Sequence, residues 1–344
     1  MSSNKYEEIK LDVPLVHSPA QLCHIDSLAM ILRYIGDEYE PWYLGGVSGR
    51  FFGFGYFPSS SFVRIGLGTY PLEAILTFLK EHGYSFKFNE GENWSKAFVI
   101  LRKYLNEGLP VLVICHMGWL SYNKEYEIFR RIEGVVDHYV IVTGFKDNKF
   151  VFINDPNPEL FKKDAKLSVE DFRIAWYKKL KAIQSMSCPM IVVKKRKYKP
   201  EQKKILAKAL RRAIKQMDTQ KGPTGLAGLR MASIEIPKLL REDSVAITNS
   251  IPEYAFFTFR VAATEARYAS KFLSYVSNEL NILQIKLSAA NLLIASECFA
   301  DVRNLFMDCV KEKAKIVDIA EEVGMLLDKV YRAERDCYAN LGCV

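Results

Sequence analysis

The strongest constraint on what this chain can fold into is a change of periodicity at Pro200. Ahead of it, apolar residues recur at helical spacing in some stretches and in short strand-like runs in others; after it, long segments carry helical spacing alone. A chain of 344 residues is also longer than one typical domain. The sequence therefore predicts an α+β domain over residues 1–196 and an all-α helical domain over residues 200–344.

In the first domain, Leu22, Ile25, Leu28, Ala29, Leu32 and Ile35 repeat at helical spacing between Ser18-Pro19 and Gly36, which places Cys23 in the first turn of a helix. Gly45 to Phe57 is too rich in glycine and aromatics for a regular helix and reads as a packed loop or irregular strand. Further helices are expected over Leu72 to His82 and Ser95 to Asn106. Strand signals run from Leu109 to Cys115, Val135 to Phe145 and Lys149 to Asn154, the last two forming a hairpin across the polar cluster Lys146-Asp147-Asn148. A short helix around Ser168 to Tyr177 and a strand from Met190 to Lys194 complete this domain. The second domain reads as helices over Glu201 to Thr219, Gly225 to Arg241, Glu253 to Asn278, Gln284 to Lys313 and Lys315 to Asn340.

With 49% apolar and 26% charged residues the composition is that of packed globular domains. No apolar run reaches the roughly 18 residues that span a bilayer, and the N-terminus lacks the basic-then-apolar order of a signal peptide. The expectation is a cytoplasmic protein with no membrane partner. The seven cysteines are scattered with no CxxC pair, so neither a disulfide framework nor a zinc site is written in them; reduced thiols and no bound metal or cofactor are expected. The formal charge of +8 is densest over Lys194, Lys195, Arg196, Lys197 and Lys199, which reads as a solvated linker or, alternatively, a docking patch for an acidic partner. That run lacks interleaved aromatics and any recognition motif, so no nucleic acid is expected.

All five histidines lie before residue 140, so Cys/His chemistry belongs to the first domain. A thiol attacks as thiolate, and an unpaired helix N-terminus together with an adjacent imidazolium can lower a thiol pKa from about 8.5 to between about 3.5 and 7.5. Cys23 has the first feature by position. If Phe145 pairs with Phe150 in the hairpin, Val140 faces Asp155, and His138 and Asp155 become diagonal neighbours on one face. An odd-length turn or a bulge would separate them. On that geometry Cys23 is the nucleophile, His138 moves protons and Asp155 orients His138. The backbone N–H of Cys23 and a side chain upstream, Gln21 or His17, would hold an oxyanion. Trp119 and Tyr122 are candidate walls of a substrate site. Cys115-His116 is a rival pair, but adjacent strand residues point to opposite faces.

The order QLCHIDSLAMILRYIG, GGVSGRFFGFGYF, GLPVLVICHMGWLSY and DHYVIVTGFKDNKFVFINDP resembles the butirosin biosynthesis protein H family, whose N-terminal domain is papain-like (C39-like). GLAGLRMASIEIPKLL and FRVAATEARYASKFL resemble that family's helical second domain. The resemblance implies that the nucleophile takes an acyl group from the phosphopantetheine thioester of an acyl or peptidyl carrier protein and passes it to an amine-bearing small molecule, in specialised peptide or antibiotic biosynthesis. It carries those roles onto Cys23, His138 and Asp155. C39-like peptidases place a Gln six residues before the Cys, where this chain has His17, so the oxyanion donor stays open. Two other readings remain: a peptidase or amidase using the same residues with water as acceptor, and a non-enzymatic binding module. A homodimer through exposed helical faces is also open.

Overall fold

The computed structural model describes residues 8–18, 22–89, 93–130, 137–157, 162–179, 187–218 and 222–343. Its elements in chain order are β1 (Glu8–Lys10), α1 (Cys23–Tyr34), α2 (Pro41–Ser48), β2 (Phe54–Pro58), β3 (Val63–Leu67), α3 (Pro71–Glu81), β4 (Tyr84–Asn89), α4 (Trp94–Asn106), β5 (Val111–His116), β6 (Asp137–Lys146), β7 (Phe150–Asp155), β8 (Lys162–Ser168), α5 (Val169–Arg173) and β9 (Met190–Arg196). Helices α6 (Gln202–Met217), α7 (Gly225–Arg241), α8 (Val245–Glu253), α9 (Phe259–Leu280), α10 (Leu283–Val310) and α11 (Ala320–Gly342) follow. The fold is α+β, with a helical C-terminal region. No helix among the described residues is long and apolar enough to cross a membrane.

The chain divides into two compact units, residues 1–41 with 79–199 and residues 42–78 with 200–344. By packing, the segment 42–78 groups with the helices that follow Pro200. Within it, α2 and the β2–β3 hairpin replace the expected irregular stretch. Helix α2 runs through Gly45 and Gly46 because a Cβ there would overlap the rings of Phe51 and Phe272. The glycines are needed for close packing, not for a loop.

The first unit is built on one antiparallel sheet in the order β4-β9-β5-β6-β7-β8, with β1 joining β6 beyond the end of β5. Strands β5, β6 and β7 are buried almost throughout, which is why they read as continuous apolar runs. Ala97, Leu101 and Leu105 of α4 pack on the sheet face that carries Val113, Val140, Val142, Phe145 and Ile153. Helix α1 is anchored to β6 by Ser27, whose hydroxyl donates to the Tyr139 carbonyl at 2.9 Å, and by the His24 ring set edge-on to Tyr139.

The β6–β7 hairpin differs from the expected pairing. Phe145 pairs with Val151 and Lys146 with Phe150, leaving three residues in the turn, of which Asp147 and Asn148 adopt positive φ. That register alone would turn His138 and Asp155 to opposite faces. A bulge between Val142 and Gly144 takes up Thr143 as an extra residue and restores the pairings Val142 with Ile153 and Ile141 with Asn154. The odd turn and the bulge cancel.

The basic run from Lys194 is not wholly a solvated linker. It closes β9, and Arg196 bridges Asp37 at 3.0 Å and donates to the Tyr84 hydroxyl at 2.7 Å.

In the second unit, apolar residues of α7 to α11 form a core that also takes in Phe54, Tyr56, Val63 and Ile65 of the hairpin. Val63 is held at both polar groups: its N–H donates to Ser250 Oγ at 2.9 Å and its carbonyl accepts from the Tyr254 hydroxyl at 2.7 Å. The expected helix over Glu253 to Asn278 is a π-type turn at Tyr254–Thr258 followed by α9, and an unexpected helix, α8, leads into that turn. Pro252 conceals α8 in the sequence, because it lacks the N–H that a helix interior uses.

Candidate active site

Cys23 is the first residue of α1. The N–H groups of Ile25 and Asp26 both turn back to the Leu22 carbonyl, so the helix begins at the thiol-bearing residue itself. The thiol is half-buried and not in a disulfide. Asp26, one turn on, is fully buried, and burial pushes its pKa up to about 7.

His138 stands near the start of β6 and Asp155 at the end of β7. His138 Nε2 lies 2.8 Å from Asp155 Oδ1. Both side chains are buried, the carboxylate completely. With Nε2 engaged, Nδ1 is the ring nitrogen left to face Cys23, whose sulfur is near enough to act on the imidazole's charge. Burial works against a charged imidazole here, but the Asp155 carboxylate, the Cys23 sulfur and the hydrogen bond to Asp155 overcome it and raise the His138 pKa to about 10. For Asp155 burial likewise opposes the charge, and His138, Tyr122 and the Asn157 N–H hold its pKa below the ordinary carboxylate value.

Four donors fill the Asp155 carboxylate. Oδ1 accepts from His138 and from the Asn157 N–H at 2.9 Å; Oδ2 accepts from the hydroxyls of Tyr122 at 2.6 Å and Tyr126 at 2.9 Å. Tyr126 in turn accepts from Asn157 Nδ2 at 2.9 Å and sets its ring edge-on to His138, with its hydroxyl 3.5 Å from Nε2. Both tyrosines come from the irregular stretch between β5 and β6, in which Lys124–Arg130 forms a 3₁₀ segment. Sequence reading names Tyr122 as a substrate wall and omits Tyr126 and Asn157. Their signal is local: two tyrosines four residues apart ahead of the histidine, and an Asn two residues after an Asp, an Asx-turn pattern.

The remaining candidates fall as follows. Gln21 lies outside the described residues. His17 is exposed. Trp119 is half-buried with the Arg130 guanidinium 4.6 Å above its ring. Of the rival pair, His116 Nδ1 accepts from the Gly118 N–H at 3.2 Å, and burial pushes the Cys115 thiol well above its ordinary pKa.

The arrangement sets a helix-start thiol beside an imidazole that is hydrogen-bonded to a saturated carboxylate. A model of the Peptidase_C39 like family matches residues 10–183, a span that contains all three. The chain belongs to the Peptidase_C39 like family. Among solved structures it is similar to the peptidase domain of Streptococcus ComA, a bi-functional ABC transporter involved in a quorum-sensing pathway, at 20% identity and a TM-score of 0.32, covering 56% of this chain and 99% of that one. No curated protein sequence matches the chain. The family match ends before β9, so the helical region from α6 onward lies outside it.

Proposed function

We propose that this protein is a cysteine-dependent acyltransferase that moves an acyl group from a carrier-protein phosphopantetheine thioester, through an acyl-Cys23 intermediate, to an amine, forming an amide. The observation that carries the reading is the placement of His138 between the Cys23 thiol and the buried Asp155 carboxylate, inside the part of the chain that belongs to a peptidase-like family.

Cys23 Sγ attacks the thioester carbonyl carbon after its proton passes to His138 Nδ1. The Cys23 N–H, at the unpaired start of α1, faces the developing oxyanion. Collapse breaks the bond to the pantetheine sulfur, which leaves with the proton from His138. An amine then attacks the acyl-Cys23 carbonyl, His138 takes the amine proton, the C–S bond breaks and the proton returns to Cys23. Asp155 keeps Nε2–H pointing inward throughout and stays ionised.

Two features favour transfer over hydrolysis. The resemblance in the helical half extends beyond the peptidase-like match, and the +8 charge suits an acidic carrier. The family's peptidase character favours a second reading, a peptidase or amidase with water as acceptor. Incubating the protein with an acyl-pantetheine thioester and weighing the intact chain tests the first step: one acyl adduct is expected, absent from Cys23→Ala. Adding an amine then separates the readings. Amide product supports transfer, free acid supports hydrolysis, and no adduct with a Cys23 that alkylates no faster than a simple thiol supports a binding module.

A further inference from the structure

The second unit contains a pocket that the chemistry at Cys23 does not use. It is a half-open recess of about 20 Å³, walled by Phe51, Phe54, Met217 and Phe299 and reached by two carboxyl side chains, Glu265 and Glu334. That volume holds one water-sized group. The two acids differ in their surroundings. Glu265, 4% exposed, pairs with Arg50, itself 7% exposed, at 2.7 Å. Glu334 is 9% exposed and has no hydrogen-bond or ion-pair partner among the described residues. Its place in α11 is on the core stripe, four residues after Val330 and three before Cys337, both fully buried. A helix face that packs inward gains nothing from a carboxyl with no counterpart, since burying such a group is costly.

We propose that this pocket binds the ammonium head of a small primary amine, with Glu334 as its counter-charge and the phenylalanine rings around it. The size admits an ammonium group but not a guanidinium. Aromatic faces carry the negative part of the ring quadrupole and suit an organic cation better than a strongly hydrated one. A divalent metal would want more oxygen ligands than one unpaired carboxylate, and no cluster of three or more His, Cys, Asp or Glu among the described residues could hold one. Burial raises the Glu334 pKa to about 8, so near neutral pH the empty pocket holds a carboxylic acid. An arriving ammonium draws out the carboxylate and sends one proton to the buffer.

Calorimetric titration of the full chain with phenethylammonium, beside the neutral 2-phenylethanol, tests this near pH 7 in phosphate and in Tris. One saturable site is expected, at least about tenfold tighter for the amine than for the alcohol, with a heat that differs between the buffers because a proton is released. Glu334→Gln, which keeps shape and removes charge, should weaken the amine at least about tenfold while leaving the circular dichroism spectrum unchanged. Ala266→Leu fills the same recess and should abolish binding, which keeps the test decisive if the first variant does not fold. Cys23→Ala should bind the amine as the parent does, so this result is independent of the acyl-transfer reading. The proposal is overturned by absence of saturable binding, by equal affinity for amine and alcohol, by a heat identical in the two buffers, or by binding that survives both pocket variants.

Discussion

His138 meets Asp155 through Nε2, 2.8 Å from Oδ1, and so presents the opposite ring nitrogen to Cys23. Asp155→Asn keeps an oxygen for Nε2–H but removes the charge that supports the imidazolium. The rate of Cys23 alkylation by iodoacetamide should fall by about a hundredfold near neutral pH. Its alkaline limb, set by His138, should move down from about 10 towards the ordinary histidine value. An unchanged pH profile would remove Asp155 from the proposed triad.

Tyr122→Phe leaves Asp155 Oδ2 with one donor in place of two. Loss of a hydrogen bond to a buried charged acceptor should cost about 1.5 to 3 kcal/mol of stability in a denaturant melt. The less satisfied carboxylate is more basic, so the alkaline limb of the alkylation profile should shift upward, opposite to Asp155→Asn. Tyr126→Phe should act in the same direction, and the double variant should be non-additive because both hydroxyls share one oxygen.

Stability should be highest on the acid side of neutrality. His138, raised from 6.5 to about 10, contributes stability that is complete below 6.5 and lost as pH rises through about 10. Buried Asp26 and Glu334 have folded values raised to about 7 and about 8, so the folded state keeps their protons longer and stability again falls as pH rises from their ordinary values of 3.8 and 4.5. Asp155 acts in the other direction, its contribution present above 3.8 and lost as pH drops through its lowered folded value. Thermal melts should therefore decline steadily from about pH 5 to about pH 10. Glu334→Gln should flatten the section between 4.5 and about 8. A melting temperature that rises with pH over that interval would contradict these assignments.

Arg50→Ala takes away the one charge that opposes burial at Glu265, whose pKa already stands at about 7, so the side chain must take up a proton or stay as an uncompensated carboxylate. A loss of about 3 to 5 kcal/mol is expected from equilibrium unfolding. Arg50→Met with Glu265→Leu removes both charges and should cost far less. Equal losses would mean that packing, not charge, holds this pair together.

Much of the site is legible in the sequence because its three residues interrupt strong patterns. A cysteine opens an amphipathic helix, and a histidine and an aspartate bracket an apolar hairpin. The register is less legible. The turn residues suggest an even pairing, whereas the structure has an odd one, and the correcting bulge is marked only by Gly144 inside a strand pattern. Tyr126 and Asn157 escape notice because they lie in irregular backbone, where no periodicity relates them to the site. The packing of residues 42–78 with the helices is not legible, because chain proximity says nothing of packing; Gly45 and Gly46 resemble loop residues until the rings they accommodate are known. Glu334 is hidden for a different reason: a glutamate on a helix is read as solvated unless its place on the Val330–Cys337 stripe is counted.

The bulge at Thr143 bears on how relatives should be aligned. A strand without the extra residue would pair Val142 with Ile153 in a regular ladder and still bring the histidine to the aspartate. Members of the family can therefore differ by one residue in the spacing between these two positions and keep the same contact, provided that the gap falls at Thr143. A fixed His-to-Asp spacing would discard such relatives; an alignment scored on strand pairing would keep them.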